Sequence, residues 1–132
     1  MSHIPVNSRD SRKLAAILAA DIAGYSALMS ADEEATVRDL KAHQAVLLPM
    51  IGERGGRIID TAGDGILAEF QSIVNAVKCA LTIQRIMTER NARVEPARRM
   101  QFRIGLNLGE VIYDEARVFG DGITAMSFAS FP

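Results

Sequence analysis

Apolar and polar positions divide the chain into blocks of different period. Residues 14–20 (LAAILAA) are continuously apolar and end at Asp21, the pattern of a short central strand buried on both faces, although alanine also favours helix. Asp32, Glu33 and Glu34 then stand where the first turn of a helix would set negative charge against the positive end of its dipole, with Ser30 or Asp32 as cap. Val37, Leu40, Ala45, Val46 and Leu48 recur at roughly helical spacing and predict a helix to about Pro49 or Glu53. Gly55 and Gly56 mark a turn, and residues 57–61 (RIIDT) and 66–70 (ILAEF), joined by AGDG, read as a strand hairpin. Ser72 is placed to cap a long helix whose apolar stripe comprises Ile73, Val74, Val77, Ala80, Leu81, Ile83, Gln84 and Met87, with Cys79 beside it. Residues 101–108 (QFRIGLNL) alternate as a strand, and residues 110–113 read as its hairpin partner.

The order β, α, β-hairpin, α, β-hairpin predicts an α+β sheet with helices packed on one face. Residues 1–11 are polar and lack a period, so a flexible lead-in is expected before a domain that starts near residue 12. With 132 residues and 48% apolar content the chain suits one domain with a real core, and 5% aromatics without Trp make that core aliphatic.

Charge and cysteine narrow the function classes. Fifteen Lys plus Arg against sixteen Asp plus Glu give a net charge of −1, which argues against nonspecific nucleic-acid or membrane-surface binding. The six arginines between residues 85 and 103 read mainly as a solvated helix end and loop. Cys79 is the one cysteine, so no intrachain disulfide and no zinc-finger class is available, and a reducing cytoplasm is the expected setting. The longest apolar run has seven residues, far short of the roughly 20 that span a bilayer, and the N-terminus lacks a signal-peptide pattern.

The most informative arrangement is Asp21, at the end of the buried strand and followed by Gly24 and Ser26 leading into a helix, together with Asp64 inside Gly63-Asp64-Gly65. Two carboxylates at adjacent strand ends make a hard oxygen site suited to Mg²⁺ or Mn²⁺, more so if a phosphate adds ligands. Backbone amides of Ile22, Ala23 and Gly24 at a helix start would point at that phosphate. On spacing alone the plainer explanation has the edge, because an Asp after a strand is often a helix cap and Gly-Asp-Gly often a tight turn.

Residues 14–29 (LAAILAADIAGYSALM), 55–70 (GGRIIDTAGDGILAEF) and 102–110 (FRIGLNLGE), in that order and at those spacings, resemble the catalytic domain of class III nucleotidyl cyclases, most nearly its bacterial branch, over residues 12–122. The resemblance implies a ferredoxin-like α+β core that pairs head to tail, with nucleotide sites at the interface. It implies two metal ions per site, Mg²⁺ or Mn²⁺, that activate the ribose 3′-hydroxyl of a nucleoside triphosphate to attack its own α-phosphate and release pyrophosphate. Asp21, Ile22 and Asp64 match the metal-binding positions, Ile22, Ala23, Gly24 and Tyr25 the phosphate-contacting turn, and Arg103 an arginine that contacts the triphosphate.

The second half of the resemblance is broken. Asp60 stands where adenylyl cyclases carry a base-reading Lys and guanylyl cyclases a Glu; an ionised Asp only accepts hydrogen bonds, whereas Lys only donates them. Arg117 falls at the partner base-reading position, and Thr124 and Phe128 at positions where relatives carry an Asn and a transition-state Arg. Residues 123–132 form an atypical tail, read as a truncation that removes the last helix and closing strands. The reading is therefore a cyclase homology domain for ATP, or less readily GTP, impaired as a homodimer. Two alternatives stand beside it. One is a noncatalytic nucleotide-binding or regulatory module that forms a heterodimer with an intact cyclase domain. The other is a fragment with no independent role and marginal stability.

Overall fold

A computed structural model of the chain describes residues 11–113 and 118–120. Strand β1 (Ser11–Ile22) leads through Gly24 into the short helix α1 (Tyr25–Ala31) and then α2 (Glu33–Glu53). Strands β2 (Gly56–Asp60) and β3 (Ile66–Phe70) follow, then α3 (Ile73–Asn91), a 3-10 turn at Pro96–Arg98, β4 (Phe102–Tyr113) and β5 (Val118–Gly120). The sheet order is β2-β3-β1-β4-β5 with every neighbouring pair antiparallel. Each long helix thus links strands that are not neighbours across a split βαβ unit, the ferredoxin-like α+β arrangement.

The caps expected from sequence form. Asp32 Oδ1 accepts from Ala35 N at 3.0 Å to start α2, and Ser72 Oγ accepts from Asn75 N at 3.2 Å to start α3. Helix α2 continues past Pro49, because Ile51 is anchored in the core and Arg54 N closes the end on the carbonyls of Met50 and Ile51.

Three local expectations change. The apolar face of α2 is built from Ala35, Thr36, Leu40, His43, Leu47 and Ile51, whereas Ala45 and Val46 are exposed. In α3, Ile73, Val74 and Leu81 are exposed, while Ala76, Cys79, Ala80, Ile83 and Met87 face the sheet. Cys79 therefore lies inside the stripe, and burial pushes its thiol up to about 11, only partly opposed by the charge of Arg54. Lastly, β4 does not turn at Gly109. Its pairing with β1 runs unbroken from Ile22↔Phe102 to Ser11↔Tyr113, so residues 110–113 extend the strand and β5 supplies the hairpin partner.

The core lies between the helices and one sheet face. Ala16, Leu18, Ala20 and Ile22 of β1 point into it beside Ile66, Ala68 and Phe70 of β3, Phe102 and Ile104 of β4, and the buried rows of α2 and α3. Full burial of Leu47, Ile51, Ile83 and Met87 is worth about 1.5–3 kcal/mol for each side chain. Alternation then sends Ala15, Ile17, Ala19 and Asp21 to the opposite face. Among the described residues no helix is long and apolar enough to cross a membrane. The expected loss of a last helix and closing strands concerns residues beyond Gly120, outside the described residues.

Candidate active site

Asp21 ends the apolar run of β1, and the antiparallel register sets it directly opposite Arg103 of β4. Adjacent strands bring such a pair within reach of each other on one face. Arg103 Nε donates to Asp21 Oδ1 at 2.8 Å and its NH2 to Oδ2 at 2.7 Å, a two-point fork on one carboxylate. Hydrogen bonding to Asp21, with the charges of Asp21 and, more weakly, Asp64, holds the Arg103 guanidinium above its ordinary value despite some desolvation.

Asp64 reaches the same place from the β2–β3 loop. Gly63 adopts φ 61°, a left-handed conformation that glycine takes without strain, and Gly65 N closes the turn on Ala62 O at 3.0 Å. The turn presents Asp64 to the end of β1, where Ile22 N donates to Asp64 Oδ2 at 2.9 Å. One oxygen of Asp64 thus fixes the loop to the strand and leaves Oδ1 as a second acceptor. Asp60 has a local task, since its Oδ1 accepts from Ala62 N at 3.1 Å and shapes the start of the same loop.

Asp21, Asp60 and Asp64 line one shallow cavity of about 280 Å³. Among the described residues no group of three or more His, Cys, Asp and Glu side chains is arranged to hold a metal ion; with Asp60 turned to Ala62 N in its own loop, the cavity offers the pair Asp21 and Asp64 rather than a closed cage. An open pair of hard oxygen donors suits a divalent cation that keeps water or takes phosphate oxygens as its other ligands. A larger cavity of about 530 Å³ is lined by Arg103 together with Ala23, Gln84, Thr88, Asn91 and Arg99; it contains no carboxylate, so of the two only the smaller offers a cation anionic oxygens.

The amides of the expected phosphate-contacting turn differ in how they are engaged. Gly24 caps α1 in a left-handed conformation, φ 66°, which turns the chain sharply after β1. The amide of Ile22 is engaged by Asp64, however, and that of Ala23 donates to Gln101 O at 2.8 Å, because the strand end is stitched to its neighbours. Gly24 and Tyr25 are the remaining amides of the predicted set.

The statistical model of the adenylate and guanylate cyclase catalytic domain matches residues 8–124. The chain belongs to this family. A Rhizobium meliloti (strain 1021) protein bearing an adenylate cyclase name is 45% identical over 113 residues, which cover 85% of this chain and 19% of that protein. The crystal structure of an adenylate/guanylate cyclase/hydrolase from Silicibacter pomeroyi is 40% identical, with a TM-score of 0.78, over 86% of this chain and 67% of that one. The guanylyl cyclase Cya2 is 26% identical, with a TM-score of 0.71, over 85% of this chain and 64% of that one. The chain thus spans about a fifth of its Rhizobium relative and about two thirds of the two solved cyclase domains.

In this cyclase domain the structure brings together Asp21, Ile22, Asp64 and Arg103, which are separated by up to 82 positions in sequence. Arg117, Thr124 and Phe128 lie outside the described residues. Two features escaped sequence reasoning: the Arg103–Asp21 fork, and the Ile22 amide that holds Asp64. The first was recoverable only by pairing the two strands in register, and the second had no local signal.

Proposed function

We propose that this chain is a class III nucleotidyl cyclase domain that binds a nucleoside triphosphate, ATP in preference to GTP, with Mg²⁺ or Mn²⁺ at Asp21 and Asp64. The observation that carries this reading is the convergence of these two carboxylates and Arg103 at one end of the sheet in a chain of the cyclase family. Asp21 and Asp64 would hold two divalent ions, with the Ile22 backbone beside them. When bound, those ions supply a lowered pKa for the ribose 3′-hydroxyl and neutralise charge on the departing pyrophosphate. The guanidinium fork of Arg103 matches the spacing of phosphate oxygens as well as it does a carboxylate, so Arg103 orients the triphosphate. The amides of Gly24 and Tyr25 add donors at the turn.

Family membership favours a dimer with a nucleotide site across the interface, in a reducing cytoplasmic setting. In a homodimer both sites would carry Thr124 and Phe128 in place of the Asn and Arg expected from the resemblance. Loss of one preorganised group of that kind costs roughly 10²–10³-fold in rate, so slow turnover is expected. The chain is to be assayed with Mn²⁺ and ATP or GTP, alone and mixed with an intact homologous cyclase domain. Slow cyclic-nucleotide formation alone, faster formation in the mixture, and loss of both in Asp21→Ala are the expected results; no product in any pairing overturns the catalytic reading.

A second reading is favoured by Asp60, whose carboxylate is engaged in its own loop and offers a base only acceptor oxygens where adenylyl cyclases carry a donating Lys. It makes the chain a noncatalytic module that binds metal and nucleotide and serves a partner's intact half-site. Calorimetry with a nonhydrolysable triphosphate and Mg²⁺ separates the two, since binding without turnover in any pairing supports the module.

A further inference from the structure

We propose that Arg103 is a latch on the metal site: its guanidinium holds both oxygens of Asp21 until a triphosphate draws it away, so that metal ion and triphosphate bind as a coupled pair. This rests on the reading of Asp21 and Asp64 as metal ligands. In its latched form Arg103 is a positioning residue.

The argument starts from the oxygens. An ionised carboxylate offers two oxygens, and the fork engages each at 2.7–2.8 Å. A divalent cation approaching Asp21 needs one or both of them, and two positive groups cannot share one oxygen pair without strong repulsion. Metal and Arg103 therefore compete for Asp21. Asp64 is not blocked in this way, because its one engaged oxygen accepts from a neutral amide.

The latch has an alternative partner and room to reach it. Phosphate oxygens accept the same parallel pair of hydrogen bonds as a carboxylate. The Arg103 side chain is half exposed, and besides gripping Asp21 it lines the cavity of about 530 Å³. Exchange of Asp21 for a phosphate frees the carboxylate for the metal at the moment when the triphosphate, which itself carries metal ligands, arrives. Linkage then requires reciprocity: triphosphate strengthens metal binding by the factor by which metal strengthens triphosphate binding. A partly exposed ion pair of good geometry makes that factor about 2- to 5-fold.

The test is calorimetric titration of Mn²⁺ into the full chain, first without nucleotide and then with an α,β-methylene triphosphate analogue. Arg103→Gln is expected to bind Mn²⁺ about 2- to 5-fold more tightly than the parent without nucleotide, and to lose most of the gain that the analogue gives the parent. Arg103→Lys keeps the charge but cannot span both oxygens, and is expected to recover much of that tightening. If Arg103→Gln leaves Mn²⁺ affinity unchanged, or if only Arg103→Gln tightens while Arg103→Lys matches the parent, the latch is wrong and a bare charge effect or none remains. Asp21→Asn separates the two levels of the argument. Mn²⁺ binding that does not depend on Asp21 in the parent or in Arg103→Gln overturns the metal reading itself, and the latch with it.

Discussion

Asp64 is assigned two separable tasks, holding the loop to the strand and offering an oxygen to a metal, and a pair of substitutions can divide them. Ile22 is buried, with 2% of its surface exposed, and its amide donates to Asp64 Oδ2 at 2.9 Å across 42 positions of sequence. Asp64→Ala removes the acceptor and leaves a backbone N–H unpaired beside the core. A hydrogen bond to a charged group contributes about 1.5–3 kcal/mol, and the partial exposure of Asp64 argues for the lower half, about 1.5–2 kcal/mol. Asp64→Asn keeps an oxygen in place for the amide but gives up the charge, a loss of about 0.5–1 kcal/mol. For a domain of this size each kcal/mol moves Tm by about 3–5 °C, so the expected falls are about 5–10 °C for Ala and about 2–5 °C for Asn. Both variants should lose Mn²⁺ affinity in calorimetry, since neither supplies a negative oxygen. Equal melting temperatures for the two variants would refute the holding role, and parental Mn²⁺ affinity in Asp64→Asn would refute the metal role.

Three further outcomes follow from the same structure. Asn91 donates to Met100 O at 2.8 Å and accepts from Met100 N at 3.3 Å in a buried site, so Asn91→Leu orphans two backbone groups and should lower stability by about 2–4 kcal/mol in urea unfolding. His43 is held below its ordinary 6.5, first by burial and then by the Arg90 charge, with Asp39 opposing. The unfolded chain thus takes up a proton that the folded chain resists, and stability should fall as pH drops below about 6.5. Thermal melts at neutral and mildly acidic pH check this, with the His43→Gln variant expected to lose less than the parent. For Asp60, the turn-forming role predicts that Asp60→Asn, which keeps the acceptor for Ala62 N, changes the preference between ATP and GTP analogues by less than about twofold. A larger shift would show instead that the carboxylate reads the base.

What the sequence made legible was local. Asp32 and Ser72 announce their helices because a cap is a short-range interaction with the next three residues. The strand hairpin is legible because its Gly-rich turn lies between two runs of matched length. The buried faces of α2 and α3 were misjudged because both contain polar residues that hydropathy places outside. Thr36 donates to Leu28 O, Thr82 to Lys78 O and Gln84 to Phe102 O, and each bond allows a polar side chain to be buried at low cost. Once Thr36, His43, Thr82 and Asn91 are admitted to the interior, Val46, Val74 and Leu81 rotate outward. The carboxylates were identifiable as candidates, but their engagement by Arg103 and by the Ile22 amide depends on strand register, which no single segment encodes.

Register also explains why chemistry and stability meet at the end of β1. Residues 14–20 are apolar at every position, so both faces of the strand read alike and the run alone does not choose between the two. A slip of one residue exchanges the faces. It would drive Asp21 into the aliphatic layer formed by Ala80, Ile83 and Met87, and expel Ile22, at the cost of an unpaired buried carboxylate. Asp21 and its partner Arg103 are therefore the polar marks that distinguish the correct pairing from its neighbour at this end of the sheet. The residue proposed to hold a metal also marks the register of the strand that carries it, which would couple the site's geometry to the fold more tightly than a carboxylate on a surface loop could. Neutral substitutions at position 21 should accordingly be judged by stability as well as by metal affinity, because part of any loss of function would be loss of register.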